Sequence, residues 1–391
     1  MTLRERLEPV RVRADPAPAR PTTLPSLTGL RWLAAALVFL CHVTVVEYFR
    51  GSPQHALTAV FGVGSTGVSL FFVLSGFVLA WSHDDATSAR RFYLRRFARV
   101  WPAHLVFVAV SVTLCAVLVT MRHPGQNPVS DMANVLLVST WIPAWSQAGN
   151  PVAWSLVCEV FFYAMFPLLW RLWSRARASS LIVAAVAGYA AVWVMPLILP
   201  AVHLAPSTTA ASYHPLARWP EFALGVIAAI AVRRGIFRGV RLRTAALVVG
   251  LSYATAAVLG CSRSTAVGVT VLGFVLLVTA LARADLGDVR TGLGGRIAVH
   301  LGAVSYSFYL VHLLVLGALA AGWAGGHPRL SVPAASALAL AALVVSLLAA
   351  ELTHRWVERP ARRFLLAQLG ARSDTRGTQP CPRPGAAGGT V

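Results

Sequence analysis

No lysine occurs anywhere in this chain: all 34 of its Lys and Arg positions, in 391 residues, are arginine. The absence of lysine excludes a P-loop nucleotide site, whose lysine reaches the phosphates, and any Schiff-base mechanism on a lysine amine. Acidic residues are also scarce, with 14 Asp and Glu and a formal net charge of +20. Because the arginines lie beside hydrophobic runs, we expect them to set membrane topology rather than to bind nucleic acid.

Cysteine is rare and scattered, with five residues and no C-x-x-C pair. This spacing predicts neither a zinc site nor a disulfide framework. The H-E-x-x-H spacing of a zinc hydrolase is also absent, so we expect no metal site. The first twenty residues are rich in Arg and Pro and have no apolar h-region, so we expect no cleavable signal peptide.

Apolar residues, by contrast, make up 57% of the chain, and the mean hydropathy is +0.66. Runs of bilayer-spanning length predict an all-α, polytopic membrane bundle of about ten transmembrane helices. The predicted spans are 29–49, 60–82, 100–121, 154–172, 179–200, 217–233, 242–260, 264–283, 298–320 and 330–352.

The arginines alternate between the two sides of these ten spans. One side receives 29 of them, and the other side receives only five: Arg50, Arg122, Arg218, Arg263 and Arg329. Since cytoplasmic connections carry the arginine excess, this split predicts that both termini are cytoplasmic. We expect a cytoplasmic N-terminal tail over 1–26, a transmembrane domain over 27–363, and a disordered cytoplasmic C-terminal tail over 364–391.

Four ionisable residues fall well inside the predicted spans: His42, Glu159, Glu221 and His312. Each costs several kcal/mol in hydrocarbon unless it faces a partner or a water-filled cavity. The predicted orientations place all four at a similar depth, which predicts one buried polar site. A histidine beside a carboxylate is suited to act as a general base towards a hydroxyl group.

Arginine residues in two other places are also candidates for a part in this polar site. Arg31 precedes His42 by eleven residues, so the two share a helix face and lie about 16 Å apart along it. A second group, in the stretch "RRFYLRRFARVWP", includes Arg95, Arg96 and Arg99. This group is either a topology anchor that meets anionic lipid headgroups or a phosphate-binding cluster, since guanidinium groups bind phosphate bidentately.

Seven motifs in order resemble the acyltransferase-3 family of integral membrane O-acyltransferases, from about residue 26 to residue 363. They are "SLTGLRWLAAALVFLCH", "FFVLSGFVLAW", "FYLRRFARVWP", "WSLVCEVFFYAMFP", "PLARWPEFALG", "SYSFYLVH" and "WVERPARR". The family's signature of Arg, ten residues and His in the first helix is met by Arg31 and His42. The resemblance implies transfer of an acyl group, often acetyl, from acyl-CoA to a hydroxyl group.

The resemblance also suggests roles for individual residues. In the family the matching first-helix histidine is essential, so His42 is the candidate catalytic base, with Glu159 as the carboxylate that orients it. Arg31, Arg95, Arg96 and Arg99 are the candidate donor-binding residues. The candidates for the acceptor side or for stabilising the oxyanion are Glu221, Ser305, Tyr306 and His312. No tightly bound cofactor is expected, because acyl-CoA is a substrate.

Two other classes of function stay open from the residues alone. A proton-coupled transporter or flippase of a lipid-linked or small polar substrate also buries carboxylates and histidines. A lipid-binding assembly protein could use the arginine-rich face. For an enzyme without a soluble hydrolase-like domain, we expect a secondary metabolite such as a macrolide as acceptor, or else a carbohydrate, and the bacterial cytoplasmic membrane as its location.

Overall fold

The computed structural model describes residues 21, 23–118, 121, 125–237 and 239–374, with no side chains for 369–374. Most of the predicted N-terminal tail and the end of the predicted C-terminal tail lie outside the described residues. Fourteen α-helices occur within the described ranges: α1 (Pro25–Val45), α2 (Ser52–Phe61), α3 (Gly67–Trp81), α4 (Ala89–Val117), α5 (Pro128–Val135), α6 (Trp154–Trp173), α7 (Ala178–Ala201), α8 (Thr208–Ala211), α9 (Pro215–Arg233), α10 (Leu242–Val258), α11 (Arg263–Leu286), α12 (Arg296–Ala320), α13 (Val332–Thr353) and α14 (Arg359–Asp374).

The prediction of an all-α membrane bundle is confirmed. Nine helical stretches in the described part of the chain are long and apolar enough to cross a membrane, and α10, with 17 residues, is a shorter tenth. Two of the nine stretches each join two α-helices. The second joins α2 to α3 through a 3-10 turn, and the last runs from α13 into α14.

The last stretch differs from the prediction at its carboxyl end. The predicted disordered tail begins at residue 364, whereas the structure continues α14 as a helix to Asp374. A single π-helical turn over His354–Glu358 joins α13 to α14. The Glu358 carboxylate accepts hydrogen bonds from Ser307 of α12 and from the His354 ring. These contacts fix the turn against the bundle.

The arginine-rich connections meet at one end of the bundle. There the Trp81 indole donates to the carbonyl of Pro21 at 3.1 Å, and the amide of Ser26 donates to Asp285 at 2.9 Å. We call this the arginine-rich end; it comprises 21, 23–31, 82–96, 172–178, 233–237, 239–242, 286–296 and 354–363. The other end is called the opposite end. That the arginine-rich end faces the cytoplasm stays a prediction from the charge count.

Helices α1 and α12 run parallel and touch backbone to backbone near the arginine-rich end. A Cβ atom on Gly302 would lie 1.8 Å from the carbonyl oxygen of Thr28, and one on Gly29 would lie 2.0 Å from that of Leu293. Glycine permits such an approach, as is common between membrane helices. Fourteen residues beyond Thr28 and ten beyond Gly302, the same two helices bring His42 and His312 into contact.

Helix α9 is the most enclosed of the long helices and carries a buried ion pair. Nη1 of Arg218 lies 3.2 Å from Oε1 of Glu221, and the two side chains are 4% and 0% exposed. Nη2 of Arg218 donates to Ser69 at 3.0 Å, and its guanidinium lies over the rings of Phe72 and Trp154. Glu221 is therefore the ion-pair partner of a buried arginine, which differs from the acceptor-side role predicted for it.

We predict that Gly302→Ala lowers the free energy of unfolding by about 1–3 kcal/mol, because its methyl group collides with backbone that cannot move aside. Gly250→Ala is the matched control, since a Cβ there meets nothing within 4 Å. The control should be neutral or slightly stabilising, as alanine favours helix. Thermal unfolding of both variants in one detergent measures the difference, and equal midpoints would contradict the packing described.

We predict that Glu221→Gln destabilises the protein by about 3–5 kcal/mol, because it leaves Arg218 charged, buried and unpaired. Replacing both residues, as Arg218→Met with Glu221→Leu, should restore much of that loss. Glu47→Gln, at an exposed ion pair with Arg329, is the control and should cost less than about 1 kcal/mol. A Glu221→Gln protein of parental stability that had lost its activity would instead make Glu221 a catalytic residue.

Candidate active site

A pair of hydrogen-bonded histidines lies near the opposite end of α1 and α12. Nδ1 of His42 lies 2.8 Å from Nε2 of His312, and the ring centroids are 4.9 Å apart. Nδ1 of His312 lies 2.7 Å from the carbonyl oxygen of Tyr309. His312 is fully buried, and its ring stacks on Phe308 at 5.8 Å. The surrounding helix and rings thus hold His312 in one orientation.

The hydrogen bonds assign the protons of this pair. A carbonyl oxygen can only accept, so Nδ1 of His312 carries the proton in that bond. In a neutral ring Nε2 of His312 is then an acceptor, and Nδ1 of His42 donates to it. Nε2 of His42 is consequently the ring nitrogen that carries a lone pair. The arrangement suits His42 to remove a proton from a hydroxyl group, with His312 stabilising the charge that forms.

In this structure the hydrogen-bond partner of His42 is His312 and not Glu159, the carboxylate predicted to orient it. The reason lies in the ends of α1, which begins at Pro25 rather than at residue 29 and ends at Val45. His42 is therefore three residues from the end of its helix, nearer the opposite end than predicted. The four ionisable side chains consequently do not converge at one depth. Within the described ranges, no three His, Cys, Asp or Glu residues are grouped to hold a metal ion.

Glu159 instead lies among arginines, between two adjoining cavities at the arginine-rich end. The outer cavity has a volume of about 200 Å³ and the inner one about 50 Å³. Four residues line both: Arg31, Phe71, Arg99 and Glu159. We call the two together the arginine cavity. It places the guanidinium groups of three arginines, Arg96 being the third, and one carboxylate around a space that leads into the bundle.

The predicted arginine cluster divides between this cavity and the surface. Arg96 lines the outer part, with its guanidinium over the rings of Phe92 and Tyr163 at 5.9 and 5.8 Å. Its Nε is buried and has no hydrogen-bond partner among the described residues. Arg95 is exposed and lines neither part, so the structure does not place it with the other three arginines.

Ser305 and Tyr306 line the inner part of the arginine cavity rather than the space beside His42. The Ser305 hydroxyl donates to the carbonyl of Gly302 at 2.8 Å, and the Tyr306 hydroxyl donates to that of Val100 at 2.7 Å. Their protons are thus already engaged by backbone. The predicted role of these two residues as oxyanion donors does not fit this arrangement, whereas His312, from the same group of candidates, contacts His42 directly.

A third cavity, of about 460 Å³, opens at the opposite end and contains His42. We call it the His42 cavity. Its wall is mostly apolar and aromatic, with polar groups from a few side chains. Those that bear on its chemistry are His42, Gln147, Trp154, Tyr213, Arg263 and His327.

A thin wall separates the His42 cavity from the arginine cavity. Trp154 lines the first, whereas Ser155, the next residue of α6, lines the second. The Tyr309 hydroxyl donates to the carbonyl of Val152 at 3.1 Å and accepts from Ser155 at 2.9 Å. Tyr309 therefore borders the arginine cavity with its side chain and holds His312 with its carbonyl oxygen.

Sequence reasoning missed the residues of this wall. Ser155 and Tyr309 lie in two of the quoted motifs, "WSLVCEVFFYAMFP" and "SYSFYLVH", but neither is ionisable at neutral pH and neither drew attention as an intramembrane charge. Arg263 was counted only as one of five arginines on the minor side. The motif positions were a usable signal for the first two, and only the fold places Arg263 beside His42.

Comparison with known proteins identifies the family of the chain. The family described as an acyltransferase domain matches residues 24–351. Acyltransferase MdmB of Streptomyces mycarofaciens is 37% identical over 364 residues, which cover 89% of this chain and 94% of that protein. Nodulation protein 10 of Rhizobium leguminosarum bv. viciae is 28% identical over 380 residues, covering 88% and 94%.

A shorter match relates the chain to a cell-wall enzyme. Peptidoglycan O-acetyltransferase OatA of Listeria monocytogenes is 28% identical over 200 residues, 45% of this chain and 29% of that protein. No solved structure shows a significant match. The family match runs from the start of α1 to near the end of α13, leaves out α14, and includes every candidate site residue. The chain therefore belongs to the acyltransferase-3 family and is an integral membrane acyltransferase.

Proposed function

We propose that the protein transfers an acyl group, in the simplest case acetyl, from acyl-CoA to a hydroxyl group of a macrolide-like metabolite or a carbohydrate. The observation that carries the proposal is the His42–His312 pair at 2.8 Å, with the proton-accepting nitrogen of His42 beside one cavity and an arginine-lined cavity on the other side of a thin wall. The two cavities supply separate sites for acceptor and donor.

The arginine cavity is suited to the donor. CoA carries several phosphate groups, and Arg31, Arg96 and Arg99 offer guanidinium donors to them. The buried Nε of Arg96 without a partner supports this assignment, because a ligand oxygen would satisfy it. Glu159 reduces the mutual repulsion of the arginines and so stabilises the empty cavity. The thioester end of the donor would then extend inward between Ser155 and Tyr309, so that its carbonyl carbon crosses the wall and meets the acceptor oxygen beside His42.

The chemistry needs one general base and no resident cofactor. The acceptor oxygen attacks the thioester carbonyl carbon while its proton passes to Nε2 of His42. His312 accepts the Nδ1–H hydrogen bond throughout, which keeps the ring in place and stabilises the imidazolium form. When the carbon–sulfur bond breaks, the imidazolium returns the proton to the departing sulfur. The products are an ester and free CoA, and His42 is neutral again.

The His42 cavity supports an acceptor with a ring of mixed character. Its apolar wall suits the face of a macrocycle or a sugar, and Trp154 and Tyr213 offer aromatic surface. Acyl transfer to peptidoglycan by the relative OatA supports a hydroxyl acceptor in general. Membership of an acyltransferase family favours this activity over the transporter alternative. We place the arginine-rich end in the cytoplasm of a bacterial cell, where acyl-CoA is made.

We predict that Arg99→Gln raises the KM for acetyl-CoA by about tenfold or more, because a guanidinium–phosphate contact to the donor is lost. Arg95→Gln is the matched control, since Arg95 lies four residues away on α4 but is exposed. Its KM should change less than about twofold. Initial rates at several acetyl-CoA concentrations give both values. Equal effects of the two substitutions would show that general surface charge, rather than the cavity, holds the donor.

The proposal as a whole is tested by thiol release from acetyl-CoA and propionyl-CoA by the purified protein in nanodiscs, with macrolide and sugar acceptors. Parental protein should release CoA only when an acceptor is present. His42→Ala should lower kcat by about a thousandfold or more while leaving acetyl-CoA binding intact, because the base is lost. His312→Ala should lower kcat by about a hundredfold, and His312→Gln should recover part of it by accepting the same hydrogen bond.

Two outcomes would contradict this mechanism. Full turnover by a folded His42→Ala protein would remove the proposed base. A His312→Gln protein no better than His312→Ala would mean that His312 acts through packing alone, rather than through the proton on Nδ1 of His42. Acceptor binding without any loss of acyl-CoA would restore the transporter alternative.

A further inference from the structure

Arg263 is the cationic side chain of the His42 cavity that the mechanism does not use. It begins α11 at the opposite end, where arginine is rare. Its guanidinium lies over the ring of Tyr213, 4.8 Å from the centroid. Tyr213 is itself fixed, because its hydroxyl accepts from Gln147 at 2.8 Å and its ring meets Trp154 edge to face at 5.1 Å. Arg263 is thus placed on a rigid aromatic support.

Stacking on an aromatic ring engages the flat face of a guanidinium and leaves its N–H groups free in the plane. Within the part of the chain that the structure describes, Arg263 has no carboxylate within 4.0 Å and donates no hydrogen bond. By contrast, Arg218 and Arg329 at the same end each have a carboxylate partner. The donors of Arg263 are therefore available to a molecule in the cavity.

Among its described residues, the His42 cavity is lined by no Asp or Glu that could attract a cation. Glu47 lies outside the lining, 4.0 Å from the His327 ring. Arg329 already engages it at 2.8 Å, and this hydrogen bond lowers the pKa of the Glu47 carboxyl. The charge that faces the cavity is consequently positive. An ammonium group placed there would gain no ion pair and would be repelled by Arg263.

We propose that Arg263 determines acceptor specificity: it binds an oxygen-bearing substituent of the acceptor, carboxylate best and neutral oxygen next, and excludes a cationic amino substituent. The acceptor class is thus an uncharged or acidic hydroxylated ring compound. This inference rests on the proposed function, because it takes the His42 cavity to be the acceptor site. It adds two points to the proposed function: which residue recognises the acceptor, and which charge the acceptor carries.

The test uses three probes of equal size: p-nitrophenyl β-D-glucuronide, p-nitrophenyl β-D-glucoside and p-nitrophenyl 2-amino-2-deoxy-β-D-glucoside. Their binding to the full chain in nanodiscs is measured by calorimetry without any acyl donor. The glucuronide should bind tightest, and the amino sugar should bind about tenfold more weakly than the glucuronide or worse. Arg263→Gln should abolish this ranking while leaving glucoside binding within about threefold.

Two variants make the result decisive. Arg263→Lys keeps the charge and should keep the ranking with a smaller spread, which also covers the case in which Arg263→Gln fails to fold. Arg50→Gln makes the same change of charge at an exposed site of the same end and should leave the ranking untouched. An amino sugar that binds as well as the glucuronide, an unchanged ranking in Arg263→Gln, or no binding of any probe would overturn the proposal.

Failure of this proposal and failure of the proposed function are separable. Binding without a donor does not depend on acyl transfer, so the ranking can hold in a protein that releases no CoA. Conversely, acceptor-dependent CoA release that is indifferent to the charge of the acceptor would leave the acyltransferase mechanism in place and remove only the role of Arg263.

Discussion

The contact between α1 and α12 at Gly302 is the constraint on which the site depends. Because neither Gly29 nor Gly302 has a side chain, the two parallel helices approach until backbone meets backbone, and this fixes how far one is shifted along the other. The shift sets His42 opposite His312 more than ten residues away. A difference of one residue in register would turn one ring by about 100° and separate the pair.

The buried ionisable side chains described above each have a compensating group nearby. In hydrocarbon an ionisable side chain is tolerated only with a partner. Arg218 has Glu221, and the arginines of the arginine cavity surround Glu159. The histidines avoid charge altogether by sharing a hydrogen bond that ends on the Tyr309 carbonyl. Positive side chains without such a partner are found where a cavity admits ligand, which is the physical basis for assigning donor and acceptor sites.

The sequence predicted the helices well because each long apolar run can only cross a bilayer as a helix. It also identified His42 and His312, since polar groups in such runs are costly, and it identified Arg31 and Arg99 through the arginine pattern and the family resemblance. It could not predict which of them meet. An error of four residues at the start of α1 moved His42 by about 6 Å along the axis and made Glu159 its apparent neighbour. Glu221 was predicted to lie on the acceptor side, whereas in the structure it pairs with Arg218, three residues earlier on α9.

The wall between the two cavities has a consequence for the order of events. The arginine cavity and the His42 cavity share no lining residue, and their mouths lie at opposite ends of the bundle. A molecule that fills one does not obstruct the entrance to the other. Sterics therefore impose no sequence on the two binding steps, and either product can leave while the other still occupies its cavity. For the proposed transfer from donor to acceptor, this arrangement would give random-order kinetics through a ternary complex.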